Sequence, residues 1–232
     1  MKGKEKTIMV IGAICVLLSV SLIGVTFAFL FGEDSAENVL TVGEIDVMLR
    51  EPNYPSNETD RILVPYRKLN KDPQLINTGT NNCIGFIKLT VPLEESVMIT
   101  SDRKKEGEAS YQEIFRLDVK EGTSGTTRGN LTYNSKWICF KITENDENHT
   151  HSYYFGYTDV LKPGSSTEPV FDTVMLKSIL ENSENLTEHI IAEGYGIQSG
   201  DFLDESIDAD NLDEENLRKI FTIIENQRGM AE

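Results

Sequence analysis

The sequence predicts an all-β protein, an antiparallel β-sandwich or barrel, with one helix at its C-terminal end. Three observations predict that class. Short stretches that alternate apolar and polar residues, or that are rich in β-branched and aromatic residues, recur along most of the chain. Turn-forming residues separate these stretches, and no rhythm of strand, helix and strand appears.

The chain begins with a basic start and a long uncharged run. Lys2, Lys4 and Lys6 precede the segment Thr7–Phe31, which contains no charged residue. Roughly 20 apolar residues are enough to span a bilayer, whereas a signal peptide has a shorter apolar core. In either case the lysines stay in the cytoplasm and the rest of the chain is exported.

Small residues near the end of this run indicate a signal peptidase site. Gly24, Thr26 and Ala28 favour cleavage between Ala28 and Phe29. A retained membrane anchor is the alternative, because hydropathy does not separate the two.

Charge restricts the partners of the exported part. The full chain carries −16, and its first 28 residues carry three lysines and one glutamate, so the 204 residues after Ala28 carry −18. Such a chain repels nucleic acid and anionic lipid. We therefore expect no nucleic-acid partner, and a membrane contact only through an uncleaved signal segment.

The length predicts three parts. Residues 1–28 form a signal peptide in a helical segment, 29–210 a β-sandwich domain, and 211–232 a C-terminal helix on or beside the sandwich. Only Cys83 and Cys139 lie outside the signal segment. Two cysteines do not make a disulfide scaffold, and a single bridge between them stays open.

The first predicted strand contains Ile45, Val47 and Leu49 in period two. A Pro- and Asn-rich loop follows at 50–60. A short strand at Gln74–Ile76 and a long one at Cys83–Val91 come next, joined by an Asn- and Gly-rich turn.

The middle of the chain alternates polar insertions with strands. Residues 100–113 are polar and predict a surface insertion, and 120–130 predict a Gly-rich loop. Between them, Phe115, Leu117 and Val119 share one face of a strand.

Strands also fit 131–142 and 151–161, whereas 170–179 is ambiguous between strand and helix. Residues 188–200 predict a central strand, in which Gly194 and Gly196 indicate a bulge or close backbone approach.

The C-terminal end predicts a helix from about Leu212 to Asn226. Asn211 is the predicted N-cap, and Glu214 follows three residues later as in a capping box. The predicted core of the whole domain is Ile45, Val47, Phe86 or Ile87, Phe115 or Leu117, and Trp137 or Ile138.

No catalytic, cofactor-binding or metal site is predicted. His149 and His151 are interpreted as solvated loop residues and His189 as a strand residue, because zinc needs three or four ligands and no zinc motif is present. Asp208 and Asp210 lie in an acidic stretch that lacks the pattern of a calcium loop, so a solvated linker before the helix is the better interpretation. No cofactor is expected.

Exposed aromatic residues would allow a carbohydrate-binding surface. Trp137, Tyr153 and Tyr154 are the candidates, although such residues are more often core or cross-strand pairs. This is the weakest of the functional interpretations.

Four stretches in order resemble one bacterial family. They are "GVTFAFLFGEDSAENVLTVGEIDVML", "KDPQLINTGTNNCIGFIKLTV", "YYFGYTDVLKPGSSTEPVFDTV" and "IIAEGYGIQSGDF". Together they are similar to the exported proteins processed by the SipW-type signal peptidase, a family that includes the matrix protein TasA and the surface protein camelysin. The resemblance covers nearly the whole exported chain.

The resemblance implies a jelly-roll-like β-sandwich, a signal peptide cleaved before Phe29 by a SipW-type peptidase, and residence on the surface or in the biofilm matrix of a Gram-positive bacterium. Camelysin-type members are labelled metallopeptidases. A secreted metal-dependent peptidase is therefore the alternative to a structural protein, although no motif here supports it.

Cleavage would also create an apolar arm at the new N-terminus. A free apolar segment is sticky in water and can add as a strand to the open edge of a neighbouring copy, or fold back on its own domain. Repeated addition of this kind gives filaments. The residues of this predicted assembly arm are Phe29, Leu30, Phe31, Val39, Leu40 and Val42.

Overall fold

Strands make up most of the part of the chain that the computed structural model describes, which comprises residues 46–62, 64–100, 102–180, 189–200 and 211–228. These residues belong to one unit, Gly43–Glu232. The predicted signal peptide, the cleavage site at Ala28 and Phe29, the whole assembly arm, Ile45, Asp208 and Asp210 lie outside the described residues.

The described elements are short except for one strand. Their bounds are β1 Val47–Arg50, a 3₁₀-helix Glu58–Arg61, β2 Lys68–Asn70, β3 Gln74–Asn77, β4 Cys83–Ile99, β5 Lys105–Glu113, β6 Phe115–Asp118, β7 Gly125–Arg128, β8 Leu131–Asn134, β9 Trp137–Asn145, β10 Thr150–Tyr157, β11 Thr173–Leu176, β12 Ile179–Leu180, β13 Ile191–Gln198 and helix α1 Glu214–Arg228.

The strands form a central sheet, a second sheet and a two-stranded ribbon. In the central sheet β4 pairs with β10 and β13 along its first half and with β5 and β12 along its second half, and β9 pairs with β10. The second sheet has the order β2, β11, β6, β8, β7, and the ribbon joins β1 to β3.

Nearly all of this pairing is antiparallel, and the sheets curl into a half-barrel. The exceptions are the β6–β8 pair and an isolated bridge from Pro65 to Leu176. The prediction of a mainly antiparallel β-protein with a C-terminal helix is therefore confirmed.

The first half of β4 is covered on both faces. Ile87, Leu89 and Val91 belong to a core that also includes inward side chains of the second sheet. Ile84 and Phe86 point the other way and pack in a separate cluster with helix α1. Two covered faces explain why "CIGFIKLTV" is almost continuously apolar instead of alternating.

Helix α1 lies close to the central sheet because β10 has a glycine beneath it. A Cβ atom on Gly156 would lie 2.6 Å from Leu217 Cδ2. Leu217, Ile220, Phe221 and Ile224 are buried in the cluster with Phe86, which confirms the predicted apolar face of the helix.

The predicted N-cap of this helix is wrong. Asp213, not Asn211, caps it, because Asp213 Oδ1 accepts a hydrogen bond from the backbone N–H of Asn216 at 2.9 Å. The helix accordingly begins at Glu214 and ends at Arg228, about two residues later than predicted at each end.

The predicted core is largely confirmed within the described residues. Phe86, Ile87, Phe115, Leu117 and Trp137 are all buried. Val47 is only half-buried at the margin of the core, because the ribbon lies at the edge of the packed region.

Two segments predicted as loops are strands. Residues 105–113 form β5 against the second half of β4, and residues 125–128 form β7 against β8. Backbone pairing holds both of them, and most of their side chains stay exposed. Their sequences therefore lack the apolar alternation on which the strand prediction depends.

Candidate functional site: strand edges, a polar cluster and an apolar cavity

The first described residues follow the predicted assembly arm in the sequence. Chain before Asp46 leads directly into β1. Leu49 of β1 lies over Gly194 of β13, since a Cβ atom on Gly194 would be 3.5 Å from Leu49 Cβ. Strand β1, which follows the arm in the sequence, therefore packs on a face of strand β13.

Among the strands that the structure describes, β5, β9, β12 and β13 of the central sheet each have a partner on one side only, and β9 and β13 are the better acceptors. Strand β9 pairs with β10, and strand β13 pairs with β4. Each also exposes an isoleucine, with Ile142 at 38% and Ile191 at 53%. One-sided strands present backbone N–H and C=O groups to which another chain can add.

Strand β5 also has one partner but is a poorer acceptor. Its pairing with β4 is interrupted between Ser96 and Met98, and Gly107 has a positive φ of 79°. Lys105, Glu106 and Glu108 are exposed along it. Bulges and charges are features that protect edges against strand addition.

A polar cluster joins β5 to β10 and to the turn before β8. Glu113 is only 8% exposed, and His151 Nδ1 lies 2.8 Å from its Oε1. The Tyr153 hydroxyl donates to the same oxygen, and Asn130 Nδ2 donates to Oε2 at 3.4 Å. Protein groups thus satisfy both carboxylate oxygens.

Burial dominates the electrostatics of this cluster. Burial, together with the neighbouring Glu113 carboxylate, raises the pKa of the Tyr153 hydroxyl well above its usual value. Burial lowers the pKa of Lys177, whose Nζ donates to the Glu113 backbone carbonyl at 2.7 Å. These contacts link β5, β10 and the turn before β8. Sequence reasoning missed Glu113 because it is one of 38 acidic residues.

Two histidines, His151 and His189, lie outside the elements predicted for them, whereas His149 lies in the predicted loop. His151 is a half-buried residue of β10 and not a loop residue, and its Nε2 lies 3.6 Å from Glu144 Oε1. His149 stacks on Tyr111 with ring centroids 3.6 Å apart. His189 is exposed just before β13. Within the described ranges no group of three His, Cys, Asp or Glu side chains could hold a metal ion.

The two described cysteines are unbridged thiols in the core. Cys83 and Cys139 are both buried. Burial raises the pKa of Cys83 to about 11 and also raises the pKa of Cys139. Thiols that stay protonated at neutral pH are poor nucleophiles, so these positions are structural.

The aromatic residues considered for carbohydrate binding do not form an exposed surface. Trp137 and Tyr153 are buried, and the Trp137 indole donates to the Glu168 carbonyl at 3.0 Å. Tyr154 is half-buried on the helix side, 5.3 Å from the Phe221 ring. The alternative interpretation as core residues is correct.

Core-facing side chains of the second sheet line an apolar cavity of about 480 Å³. Its lining draws on β2, β6 and β11, and on chain next to the 3₁₀-helix and β13. Sequence reasoning missed it, because its residues come from segments far apart in the chain. They are Tyr54, Arg61, Ile62, Leu69, Lys71, Phe115, Val174, Leu176, His189 and Ile190.

In comparisons with known proteins, no family model, no curated protein and no solved structure matches this chain. The helices among the described residues include none that is long and apolar enough to cross a membrane.

Proposed function

We propose that the chain is an exported structural protein of the cell surface or biofilm matrix that self-associates by strand addition through its N-terminal arm. Cleavage between Ala28 and Phe29 by a signal peptidase of the SipW kind exposes the arm. A jelly-roll-like arrangement of the two sheets belongs to this proposal, as do partners that are further copies or other matrix proteins.

Export is supported by the order of chemistry along the chain. Three lysines, the uncharged run Thr7–Phe31 and a strongly acidic remainder follow one another. This order is typical of a segment that leads a protein across a membrane.

Strand addition is supported by the packing of strand β1, which follows the arm in the sequence. The observation that carries the proposal is that β1 packs over Gly194 of β13, and β13 has a hydrogen-bonded partner on one side only among the described strands. The strand that follows the arm therefore packs on a face of β13, and the edge of β13 that is unpaired among the described strands can accept an added strand. The same arm can reach β13 or β9 of a second copy, since about 15 extended residues span roughly 50 Å.

The test compares the chain that starts at Phe29 with a chain that starts at Glu37. Light scattering and electron microscopy follow both across salt and pH. We expect filaments from the longer chain alone, and more of them at higher salt or lower pH, because the charge of −18 opposes association until it is screened or neutralised.

A full-length control separates the apolar side chains from the length of the arm. Substitution of Phe29 and Phe31 by Ser keeps the length of the arm but removes its aromatic rings. It should assemble as poorly as the shortened chain. If all three chains are monomeric in every condition, the assembly part of the proposal is wrong.

A further inference from the structure

The floor of the apolar cavity consists of core residues that are not fully packed. Leu69, Phe115, Val174 and Leu176 are each at most 7% exposed and belong to the main hydrophobic cluster. All four nevertheless line a cavity of about 480 Å³. Protein interiors are normally close-packed, so space of this size between core side chains needs an occupant or an explanation.

The volume suits one small apolar ligand. Ligand sites commonly have volumes of about 300–1,000 Å³. At about 30 Å³ per water molecule in the liquid, this cavity equals roughly sixteen waters, and since a methylene group is about as large as a water molecule, it equals one acyl chain of up to about sixteen carbons. Two acyl chains of a membrane lipid would not fit.

The rim of the cavity carries a cation that makes no ion pair with any carboxylate of the described residues. Arg61 donates from Nε to the Pro55 carbonyl at 2.8 Å and from Nη2 to the Ser56 carbonyl at 3.1 Å. Its guanidinium lies 5.1 Å from the centre of the Tyr54 ring. Among the described residues it has no acidic partner, so Nη1 can donate to an anion.

The second cation at the rim is already paired. Lys71 Nζ lies 2.7 Å from Glu51 Oε1 and 5.2 Å from the Tyr54 ring centre. Arg61 is therefore the residue whose charge is available, and it is held in place by two carbonyls and an aromatic ring.

We propose that this cavity binds a single acyl chain with a carboxylate head, the head on Arg61 and the tail over Leu69, Phe115 and Leu176. This site goes beyond the proposed structural role and does not depend on assembly. An apolar floor with one fixed cation at its mouth discriminates against both neutral and positively charged amphiphiles.

The test titrates the full chain with octanoate, decanoate, dodecanoate and hexadecanoate below their micelle concentrations, by calorimetry. Affinity should increase about fourfold for each added methylene while the tail is still entering the cavity. The gain per methylene should then fall off towards hexadecanoate, which is about as large as the cavity. Decanol should bind about tenfold more weakly than decanoate, since it lacks the charge that pairs with the guanidinium.

Matched variants test the two ends of the site. Arg61→Gln should weaken decanoate binding about tenfold, whereas Arg67→Gln, an exposed arginine that does not line the cavity, should change nothing. Leu69→Phe should abolish binding of the longer chains by filling the floor. Val174→Leu adds less volume, and it should shorten the preferred chain even if Leu69→Phe does not fold.

The uncharged run Thr7–Phe31 could itself bind acyl chains, so the site must be located directly. A photoreactive decanoate analogue, digested and read by mass spectrometry, should label peptides that contain Leu69, Phe115 or Leu176. Label confined to residues 7–31, equal binding of decanoate and decanol, or equal affinity of Arg61→Gln and the unaltered chain would each overturn the proposal.

Discussion

The two faces of the first half of β4 are covered in different ways. On one face, Ile87, Leu89 and Val91 meet side chains of the second sheet and the ribbon, which come from many parts of the chain. On the other, Ile84 and Phe86 meet mainly one helix at the end of the chain. Opening of the sheet-covered face therefore requires many segments to separate, whereas the other face can be exposed by local unfolding of one helix.

The largest expected effect is on the sheet-covered face. Phe155 is fully buried there and contacts the rings of Tyr133 and Tyr153, with centroids 5.1 and 6.5 Å away. Phe155→Ala should lower the free energy of unfolding by about 3–5 kcal/mol, which is a large part of a typical domain's stability. Chemical denaturation measures it.

Phe86→Ala is the matched variant on the helix-covered face. Phe86 is also fully buried, and it lies 5.3 Å from the Phe221 ring. We expect hydrogen exchange to accelerate in α1 while the amides of β10 stay protected. If Phe86→Ala exposes α1 and β10 together, the two faces do not open separately.

The second expected effect is alkaline loss of stability on the sheet-covered face. Burial raises the pKa of Cys83 from 9.0 to about 11 in the folded chain. Between those values the unfolded chain loses this proton first, so the folded state binds more protons and its stability falls as pH rises. The stability present below pH 9 should decrease by about 2 kcal/mol by pH 11.

Cys83→Ala tests whether this thiol is responsible. The variant should be less stable at neutral pH, because it leaves a cavity, but its stability should fall less steeply between pH 9 and 11. Tyr133, Cys139 and Tyr153 also have raised pKa values and keep part of the slope. An unchanged slope in Cys83→Ala would show that Cys83 does not contribute.

A third effect tests the close approach of the helix. Gly156→Ala places a methyl group 2.6 Å from Leu217 Cδ2, and overpacking of this kind costs about 1–3 kcal/mol. Leu217→Ala removes the obstructing atoms, so the double variant should be more stable than the sum of the single effects predicts. Additive effects would mean that the close approach of Leu217 is not the reason for a glycine at position 156.

How far the sequence predicts this fold differs between elements with a buried face and exposed edge strands. Period two predicted β1, an apolar stretch after an Asn- and Gly-rich turn predicted the first half of β4, and helical spacing predicted the apolar face of α1, because burial leaves a pattern in the side chains. Strand β5 was not predicted, since an exposed edge strand is held by its backbone and leaves no such pattern. The cap was misplaced because Asn211 and Asp213 are both good capping residues two positions apart.

The candidate sites were harder to predict than the strands. Glu113 is one acidic residue among many, and only folding brings it to His151 and Tyr153. The cavity needs Leu69, Phe115 and Leu176 from three strands at once. Neither site has a local motif, so spacing along the chain contains no signal for it.

The smallest expected effect concerns the ion pair that joins the helix to the central sheet. Lys141 Nζ of β9 lies 2.7 Å from Glu225 Oε1 of α1, and both side chains are partly exposed. Lys141→Gln should cost at most about 1 kcal/mol, because such pairs lose side-chain entropy and are screened by salt. The cost should shrink further in 1 M salt, where the screening length is about 3 Å.

Lys136→Gln is the control, because it removes an exposed pair with Asp159 that does not involve the helix. Hydrogen exchange of α1 should increase in Lys141→Gln and not in Lys136→Gln, whereas equal exchange in the two variants would show that this ion pair does not help to hold the helix on the sheet.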